Sequence, residues 1–162
     1  MDESGKKRVD IHQCIDSALT ILNTQQQTSK TVKIQKNYAK LPYIECVPIQ
    51  LNQAFFNLLE NALESLQRNQ PVLTNPVVSI TTQYLESSNW IRIDIQDNGP
   101  GIPNELLPKI FNPFFTTKPV GSGPGLGLTI SHQILVKQHQ GQLECSSTDA
   151  QCTIFTVKLP VN

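Results

Sequence analysis

Four short segments follow one another along this chain of 162 residues, and together they restrict its fold more than any other feature. The first is a helix-like stretch with two asparagines (QAFFNLLENALES, 53–65), and the second is an acid followed by glycines (DNGPGI, 97–102). An aromatic segment (FNPFFTTK, 111–118) and a glycine-rich run (GSGPGLGL, 121–128) come next. A glycine-rich run alone often occurs by chance, but these four patterns constrain one another. Their combination predicts a nucleotide pocket.

Apolar residues recur at helical spacing in three parts of the chain. They predict helices over about 9–27 and about 48–68, and helical periodicity returns after Gly125 until Gly141. Alternating residues predict strands at 32–37, 43–47, 77–84, 90–97, 143–146 and 153–159. This order predicts an α/β (α+β) two-layer sandwich, in which a mixed, mainly antiparallel sheet is covered on one face by about three helices.

Composition limits the partners of the chain. Thirteen basic and thirteen acidic residues cancel, so no broad positive field attracts nucleic acid or an anionic membrane. No apolar run is long enough to cross a bilayer, and the polar start carries no hydrophobic signal segment. We expect residues 9–162 to form one cytoplasmic domain after a disordered leader at 1–8, with no nucleic-acid partner and no direct membrane contact. Whether a parent protein is anchored in a membrane is left open.

The four cysteines, Cys14, Cys46, Cys145 and Cys152, lack the short spacing of a zinc or redox motif. We expect reduced, half-buried thiols. A disulfide between Cys145 and Cys152 is the alternative if their strands pair.

Two asparagines of the first segment lie on one side of the predicted helix. Asn57 and Asn61 are four residues apart, at the border of the apolar stripe. A side-chain amide oxygen together with a triphosphate is a suitable ligand set for Mg²⁺, which prefers oxygen ligands. The alternative is that both asparagines only solvate the helix.

The second segment places a carboxylate at the end of a buried strand. Ile91, Ile93 and Ile95 share one face, and the period of two residues puts Asp97 on that same inward face. A buried acid needs hydrogen-bond donors, and the amino group of adenine is one. Taken alone, the segment also fits a hairpin turn in which Asp97 caps local amides.

The glycine-rich run fits a phosphate-binding loop. Gly121, Gly123, Gly125 and Gly127 precede or open the last helix, where free backbone N–H groups favour anions. The run lacks the lysine of a Walker motif, and Pro124 removes one donor. The proline-rich stretch at about 103–125 before it predicts a flexible lid with an aromatic anchor. Lys118 either reaches the terminal phosphate or is a solvated loop residue.

These four segments resemble the N, G1, F and G2 boxes of the ATP-binding catalytic domain of two-component sensor histidine kinases, relatives of gyrase, Hsp90 and MutL. The similarity covers about 50–159. It implies that ATP and Mg²⁺ are bound, with Asn61 as the metal ligand, Asp97 on adenine, and catalytic roles for Asn57, Asn61 and Lys118. The full set of implied nucleotide-binding residues is Asn57, Asn61, Asp97, Gly99, Gly101, Ile102, Phe115, Thr116, Thr117, Lys118, Gly121, Ser122, Gly123, Gly125, Leu126, Gly127 and Leu128.

The resemblance also implies a reaction. The γ-phosphoryl group of ATP would pass to a histidine on a dimerisation and phosphoacceptor domain, in the same or another chain, and then to the receiver domain of a response regulator. ATP-hydrolysing relatives carry a glutamate base where this chain has Asn57, so we expect slow attack by water. Glu64 departs from the basic residue common in the family and receives no role.

No phosphoacceptor motif surrounds His12, His132 or His139, which we interpret as ordinary helix or loop residues. Two alternatives stay open: an ATPase or serine kinase of the same fold, and a nucleotide-sensing module that docks a partner without transferring phosphate.

Overall fold

The computed structural model describes residues 5–25, 32–67, 75–112, 127–148 and 152–161. The helices within these ranges are α1 (Ile11–Gln25), α2 (Pro48–Gln67) and α3 (Gly127–His132), and α3 continues as a π-helix at Gln133–Gln138. The strands are β1 (Lys7–Val9), β2 (Lys33–Asn37), β3 (Ile44–Cys46), β4 (Val77–Leu85), β5 (Trp90–Asp97), β6 (Gln142–Thr148) and β7 (Cys152–Pro160). A short 3-10 turn lies at Leu107–Lys109.

The described strands form a five-stranded sheet in the order β2-β4-β5-β7-β6 and a small two-stranded sheet of β1 and β3. In the larger sheet β2 runs parallel to β4, and the other neighbours are antiparallel. The predicted two-layer fold with a mixed, mainly antiparallel sheet is therefore confirmed.

One face of the sheet packs against the helices because side chains alternate along each strand. In β5 the inward side chains Ile91, Ile93 and Ile95 are buried, whereas their neighbours are half-buried or exposed. On α2 the predicted apolar stripe is buried throughout. In the core between the two layers, α2 packs against β5 and against α3. This packing brings the first sequence segment, on α2, close to the end of the fourth, at the start of α3.

The start of the chain differs from the expectation of a disordered leader up to residue 8. Lys7 and Arg8 belong to β1 and pair with Cys46 and Glu45 of β3. The side chains of Lys7 and Arg8 are exposed, so backbone pairing rather than side-chain burial stabilises β1. The sequence did not predict this strand because its partner, β3, lies in a distant segment. The first helix begins at Ile11 rather than at residue 9, because Asp10 caps it: the Asp10 carboxylate accepts a hydrogen bond from the His12 N–H at 3.0 Å.

All four cysteines are free, so reduced thiols are confirmed. Cys145 and Cys152 are half-buried as predicted, whereas Cys14 and Cys46 are fully buried within the core, so the prediction of half-buried thiols is wrong for these two. Although β6 and β7 do pair, Cys145 lies opposite Phe155 and Cys152 lies opposite Thr148. The two sulfurs are therefore not cross-strand neighbours, and the alternative of a disulfide is wrong. Among the described residues no helix is both long and apolar enough to span a bilayer.

Candidate functional site

Asp97 occupies the inward face at the very end of β5, as the alternation predicts. Its strand neighbours are Val78 on β4 and Thr153 on β7. The side chain of Asp97 is 1% exposed, and it accepts one hydrogen bond, from the Gly99 N–H at 2.9 Å. Burial raises the pKa of this carboxyl to about 6, and the Gly99 hydrogen bond partly opposes the rise. Such a group has capacity for a further donor, such as the amino group of adenine.

The loop after Asp97 is held by side chains on both sides. Gly101 has a φ of +78°, a conformation that side chains resist. The next residue, Ile102, donates its N–H to the Ser147 hydroxyl oxygen at 2.9 Å, and that hydroxyl donates to the Cys152 carbonyl at 2.7 Å. The loop is thereby tied to the β6–β7 hairpin.

Asn98 secures the other side of the same loop. Its side-chain oxygen accepts the Val77 N–H at 2.8 Å, and its amide nitrogen donates to the Asn75 carbonyl at 2.7 Å. Sequence reasoning assigned no role to Asn98 or Ser147. Local sequence does not show these contacts, because the partners of Asn98 lie 21 and 23 residues earlier in the chain and Ser147 lies 45 residues after Ile102.

The pKa of the Cys145 thiol depends in part on the charge of Asp97. Burial, and secondarily the negative charge of Asp97, raise the pKa of the Cys145 thiol to about 12. The thiol is therefore neutral at physiological pH and adds no charge to the surroundings of the carboxylate.

Asn57 links α2 to the beginning of α3. Its amide nitrogen donates to the Gly127 carbonyl at 3.2 Å, and its oxygen accepts a hydrogen bond from the Gln53 side chain at 2.9 Å. Asn57 is 8% exposed, whereas Gln53 is exposed and Gly127 is half-buried, so the middle of this arrangement is shielded from water and its Gln53 end is not. Asn57 and Gly127, members of the first and fourth predicted segments, are thus in direct contact.

Asn61 lies one turn further along α2 and is half-buried. The structure gives its side chain no hydrogen-bond partner among the described residues. Its oxygen is therefore available to a ligand, which fits the predicted metal role. No group of three or more histidine, cysteine, aspartate or glutamate side chains in the described part of the chain is arranged to hold a metal ion. An ion at Asn61 would need most of its ligands from phosphate and water, which is usual for Mg²⁺.

The helix that begins at Gly127 is anchored from two directions. Ser131 is fully buried and donates from its hydroxyl to the Ala54 carbonyl on α2 at 3.0 Å. The Thr129 hydroxyl donates to the Phe111 carbonyl at 2.9 Å, and the Phe111 ring lies 5.3 Å from the His132 ring and 6.3 Å from the Phe155 ring. Phe111 is therefore a packing residue, and Leu128 is half-buried against the core.

Two histidines make structural contacts. The His139 ring accepts the Val47 N–H at 3.1 Å on Nε2, and its Nδ1 lies 2.9 Å from the Ile134 carbonyl. His12 stacks on Tyr38 with 4.0 Å between ring centroids, and its Nε2 lies 2.9 Å from the Thr82 hydroxyl. Both rings support the fold.

Nine predicted nucleotide-binding residues lie outside the described ranges. They are Phe115, Thr116, Thr117, Lys118, Gly121, Ser122, Gly123, Gly125 and Leu126. The roles of these residues, and the lid predicted over about 103–125, stay predictions.

Comparison with known proteins identifies the relatives of the chain. A family model described as "Histidine kinase-, DNA gyrase B-, and HSP90-like ATPase" matches residues 46–162. The chain is 34% identical over 157 residues to the sensor histidine kinase ZraS of Escherichia coli strain K12, with 95% of this chain and 31% of that protein covered. The chain thus spans just under a third of the length of this curated relative.

Solved structures match the fold over nearly the whole chain. The catalytic domain of histidine kinase ThkA superimposes with a TM-score of 0.80 at 24% identity, covering 99% of this chain and 97% of that one. ThkA in complex with the response regulator protein TrrA matches with a TM-score of 0.77 at 22% identity, covering 97% of this chain and 42% of that one. These likenesses confirm the predicted fold.

Proposed function

Because the chain belongs to the histidine kinase-, DNA gyrase B- and HSP90-like ATPases, the family that its four segments predict, we propose that it is the ATP-binding catalytic module of a sensor histidine kinase. It binds ATP with Mg²⁺ and donates the γ-phosphoryl group to a histidine on a dimerisation and phosphoacceptor domain. The observation that carries the proposal is Asp97, a buried carboxylate that has one backbone donor and room for another.

Adenine recognition follows from the chemistry of Asp97. The exocyclic amino group of adenine donates a hydrogen bond to the carboxylate oxygen that Gly99 leaves free. Guanine carries a carbonyl oxygen at the corresponding position, and two acceptors facing each other are repulsive. The loop containing Gly101 and Ile102, tied to Ser147, forms the floor beneath the base.

At the triphosphate end, Asn61 and Asn57 of α2 have different roles. Asn61 offers an amide oxygen, and a Mg²⁺ ion bound there together with phosphate oxygens would neutralise charge that develops on the transferred group. Asn57 is an amide and cannot remove a proton from water, so hydrolysis lacks a base at this position. The phosphoryl group is therefore kept for a histidine nitrogen, which attacks Pγ while the bond from Pγ to the bridging oxygen breaks and ADP leaves with the electron pair.

The partners in this proposal are a histidine-bearing dimerisation domain and, after it, a response regulator. The complex of ThkA with TrrA supports the second partner, since a kinase whose catalytic domain has this fold was solved together with one. The lengths covered in the relatives fit a module that works beside other domains.

Calorimetric titration with a non-hydrolysable ATP analogue, with and without Mg²⁺, tests the binding step. We expect micromolar-range affinity, which corresponds to about −8 kcal/mol. The Asp97→Asn chain should lose this binding, and the Asn61→Ala chain should lose its Mg²⁺ dependence.

Two matched controls belong to that experiment. Asp94→Asn makes the same change on the outward face of β5, and Asn23→Ala makes the same change on the exposed face of α1. Both controls should bind like the unchanged chain. Equal affinities for all five chains would reject the assignment of the pocket, and no binding by the unchanged chain would reject the proposed function.

A further inference from the structure

A chain of hydrogen bonds runs from α2 to the first residue of α3. Gln53 donates from its side-chain amide to the Asn57 oxygen at 2.9 Å, and the Asn57 amide nitrogen donates to the Gly127 carbonyl at 3.2 Å. Gln53 is exposed at its end of this chain, whereas Asn57 is 8% exposed. The first segment therefore contains a third polar residue whose contact leads to the nucleotide site.

The direction of these hydrogen bonds is fixed by the Gly127 carbonyl, at which the series ends. A backbone carbonyl can only accept a hydrogen bond, so the group of Asn57 that faces Gly127 must be its NH₂. The oxygen of Asn57 must then face Gln53, and Gln53 must present its own NH₂. Reversing either amide would bring two oxygens or two NH₂ groups together.

We propose that Gln53 is a positioning residue for the nucleotide site, which acts by holding the Asn57 amide with its NH₂ toward α3. The inference rests on the proposed function, because it deepens the role of Asn57 in binding ATP. Gly127 is the last glycine of the run for which phosphate binding is proposed, so the NH₂ of Asn57 lies on the phosphate side.

This orientation has a chemical consequence for ATP. The NH₂ group carries two hydrogens, and the Gly127 carbonyl takes one of them, so the second is available to an anionic phosphate oxygen. A reversed amide would present its oxygen to the phosphates and repel them. In this orientation the Asn57 oxygen faces Gln53 and the NH₂ group faces α3, which agrees with Asn61 rather than Asn57 as the proposed metal ligand.

Substitutions of Gln53 separate orientation from simple loss of a contact. Gln53→Glu keeps the shape but can only accept, so it favours the reversed Asn57 amide. Gln53→Ala removes the restraint without imposing the wrong orientation. We expect Gln53→Glu to weaken binding of the non-hydrolysable ATP analogue with Mg²⁺ about tenfold, and Gln53→Ala to weaken it less than about threefold.

The added charge of Gln53→Glu also repels ATP, and a double substitution removes this ambiguity. In an Asn57→Ala background the orientation effect has no target, so Gln53→Glu should change affinity less than about twofold. Repulsion by charge alone would persist there. Gln50→Glu, which places the same charge one turn earlier on α2, serves as a second control and should leave affinity nearly unchanged.

A structural role alone would appear in stability rather than in binding. The Gln53 to Asn57 contact is an i to i+4 pair on a helix, so Gln53→Ala should move the thermal midpoint by less than about 2 °C. If Asn57→Ala binds too weakly to measure, the nitrogen-15 spectrum decides: Gln53→Glu must shift the Asn57 side-chain NH₂ signals and speed their exchange with solvent.

The outcomes are distinct. Binding by the unchanged chain with the tenfold loss confined to chains that retain Asn57 supports the inference. Binding by the unchanged chain with no effect of Gln53→Glu, an equal loss in the Asn57→Ala background, or unshifted Asn57 signals overturns the inference and leaves the proposed function standing. Absence of nucleotide binding by the unchanged chain overturns both.

Discussion

Asp97 combines deep burial with a negative charge, two properties that oppose each other. The side chain is 1% exposed and receives one backbone hydrogen bond. Loss of water raises its pKa to about 6, so at neutral pH the nucleotide-free protein carries an ionised group that the fold disfavours. The Gly99 contact leaves one carboxylate oxygen without a donor among the described residues. A role in accepting a hydrogen bond from a ligand therefore explains the burial of Asp97 better than a role as a turn cap does.

The Asp97→Asn chain should therefore be more stable than the unchanged chain at neutral pH. The folded pKa of about 6 lies above the ordinary value of 3.8, so the contribution of this group to stability is complete below about 3.8 and is lost as the pH rises through about 6. Asparagine avoids the loss and keeps an oxygen for the Gly99 N–H. We expect a gain of about 1–3 kcal/mol in the free energy of unfolding at neutral pH.

Urea denaturation at neutral pH and near pH 4 measures this difference, which should shrink as the pH falls. Asp94→Asn, on the other face of the strand, is the control for the chemical change. A less stable Asp97→Asn chain at neutral pH would mean that the fold itself supplies the carboxylate with a second strong donor.

Nucleotide affinity should depend on pH through the same group. Adenine donates to an ionised Asp97, so binding weakens as the carboxyl becomes protonated below its pKa of about 6. In the limit, affinity falls tenfold for each pH unit below that value. Calorimetric titration across this range tests the prediction, with an adenosine diphosphate titration included because its phosphate ionises differently. Constant affinity from neutral pH down to about pH 4.5 would remove Asp97 from base recognition.

At the scale of elements, local periodicity was sufficient where a segment has one buried face. The bounds of β5 and the buried stripe of α2 agree with the sequence, because isoleucines occupy alternate positions of β5 and apolar residues recur every three or four positions along α2. The last helix agrees less well. It passes into a π-helix at 133, and Ile130 is 41% exposed while Ser131 is fully buried. Ser131 is accepted in the core because it donates to the Ala54 carbonyl, a contact that no hydrophobicity pattern shows.

The end of this π-helix predicts a severe effect of Gly141→Ala. A Cβ there would collide with the Lys158 carbonyl and would lie 2.8 Å from the Leu159 side chain and 2.9 Å from the Leu135 carbonyl. Two of the three obstacles are backbone atoms, which cannot move without disturbing β7 or the helix. We expect a loss of about 3 kcal/mol or more in the free energy of unfolding.

Thermal and urea denaturation measure that loss. Gly127→Ala is the matched control, since the nearest atoms to its added Cβ are those of Asn57 at 3.7 and 3.8 Å. This control should keep or slightly raise stability, because alanine is the better helix former. A Gly141→Ala chain as stable as the control would show that the turn between the helix and β6 adjusts freely.

At the scale of the whole molecule, the sequence indicated the positions of the candidate site residues better than the contacts that hold them in place. Asp97 and Asn57 were predicted because each has a distinctive type at a strand end or on a helix face. Ser147 and the pairing of β1 with β3 were not, because each depends on register between segments far apart in the chain. The contact of Asn57 with Gly127 joins segments that are 70 residues apart, and only the fold shows it.

The reaction of the whole module gives the last prediction. With Asn57 held between Gln53 and Gly127, no base for water stands at this position, so the purified chain should hydrolyse ATP far more slowly than about 1 s⁻¹. A purified dimerisation and phosphoacceptor domain from a sensor histidine kinase, added with γ-labelled ATP, should take up label.

The label on the added domain should depend on the histidine of that domain and disappear with Asp97→Asn in this chain. A phosphorus–nitrogen bond is lost in acid, whereas a serine phosphate survives, so acid treatment separates histidine transfer from the serine-kinase alternative. Fast hydrolysis without the added domain would favour an ATPase, and nucleotide binding with no transfer to any such domain would favour a sensing module.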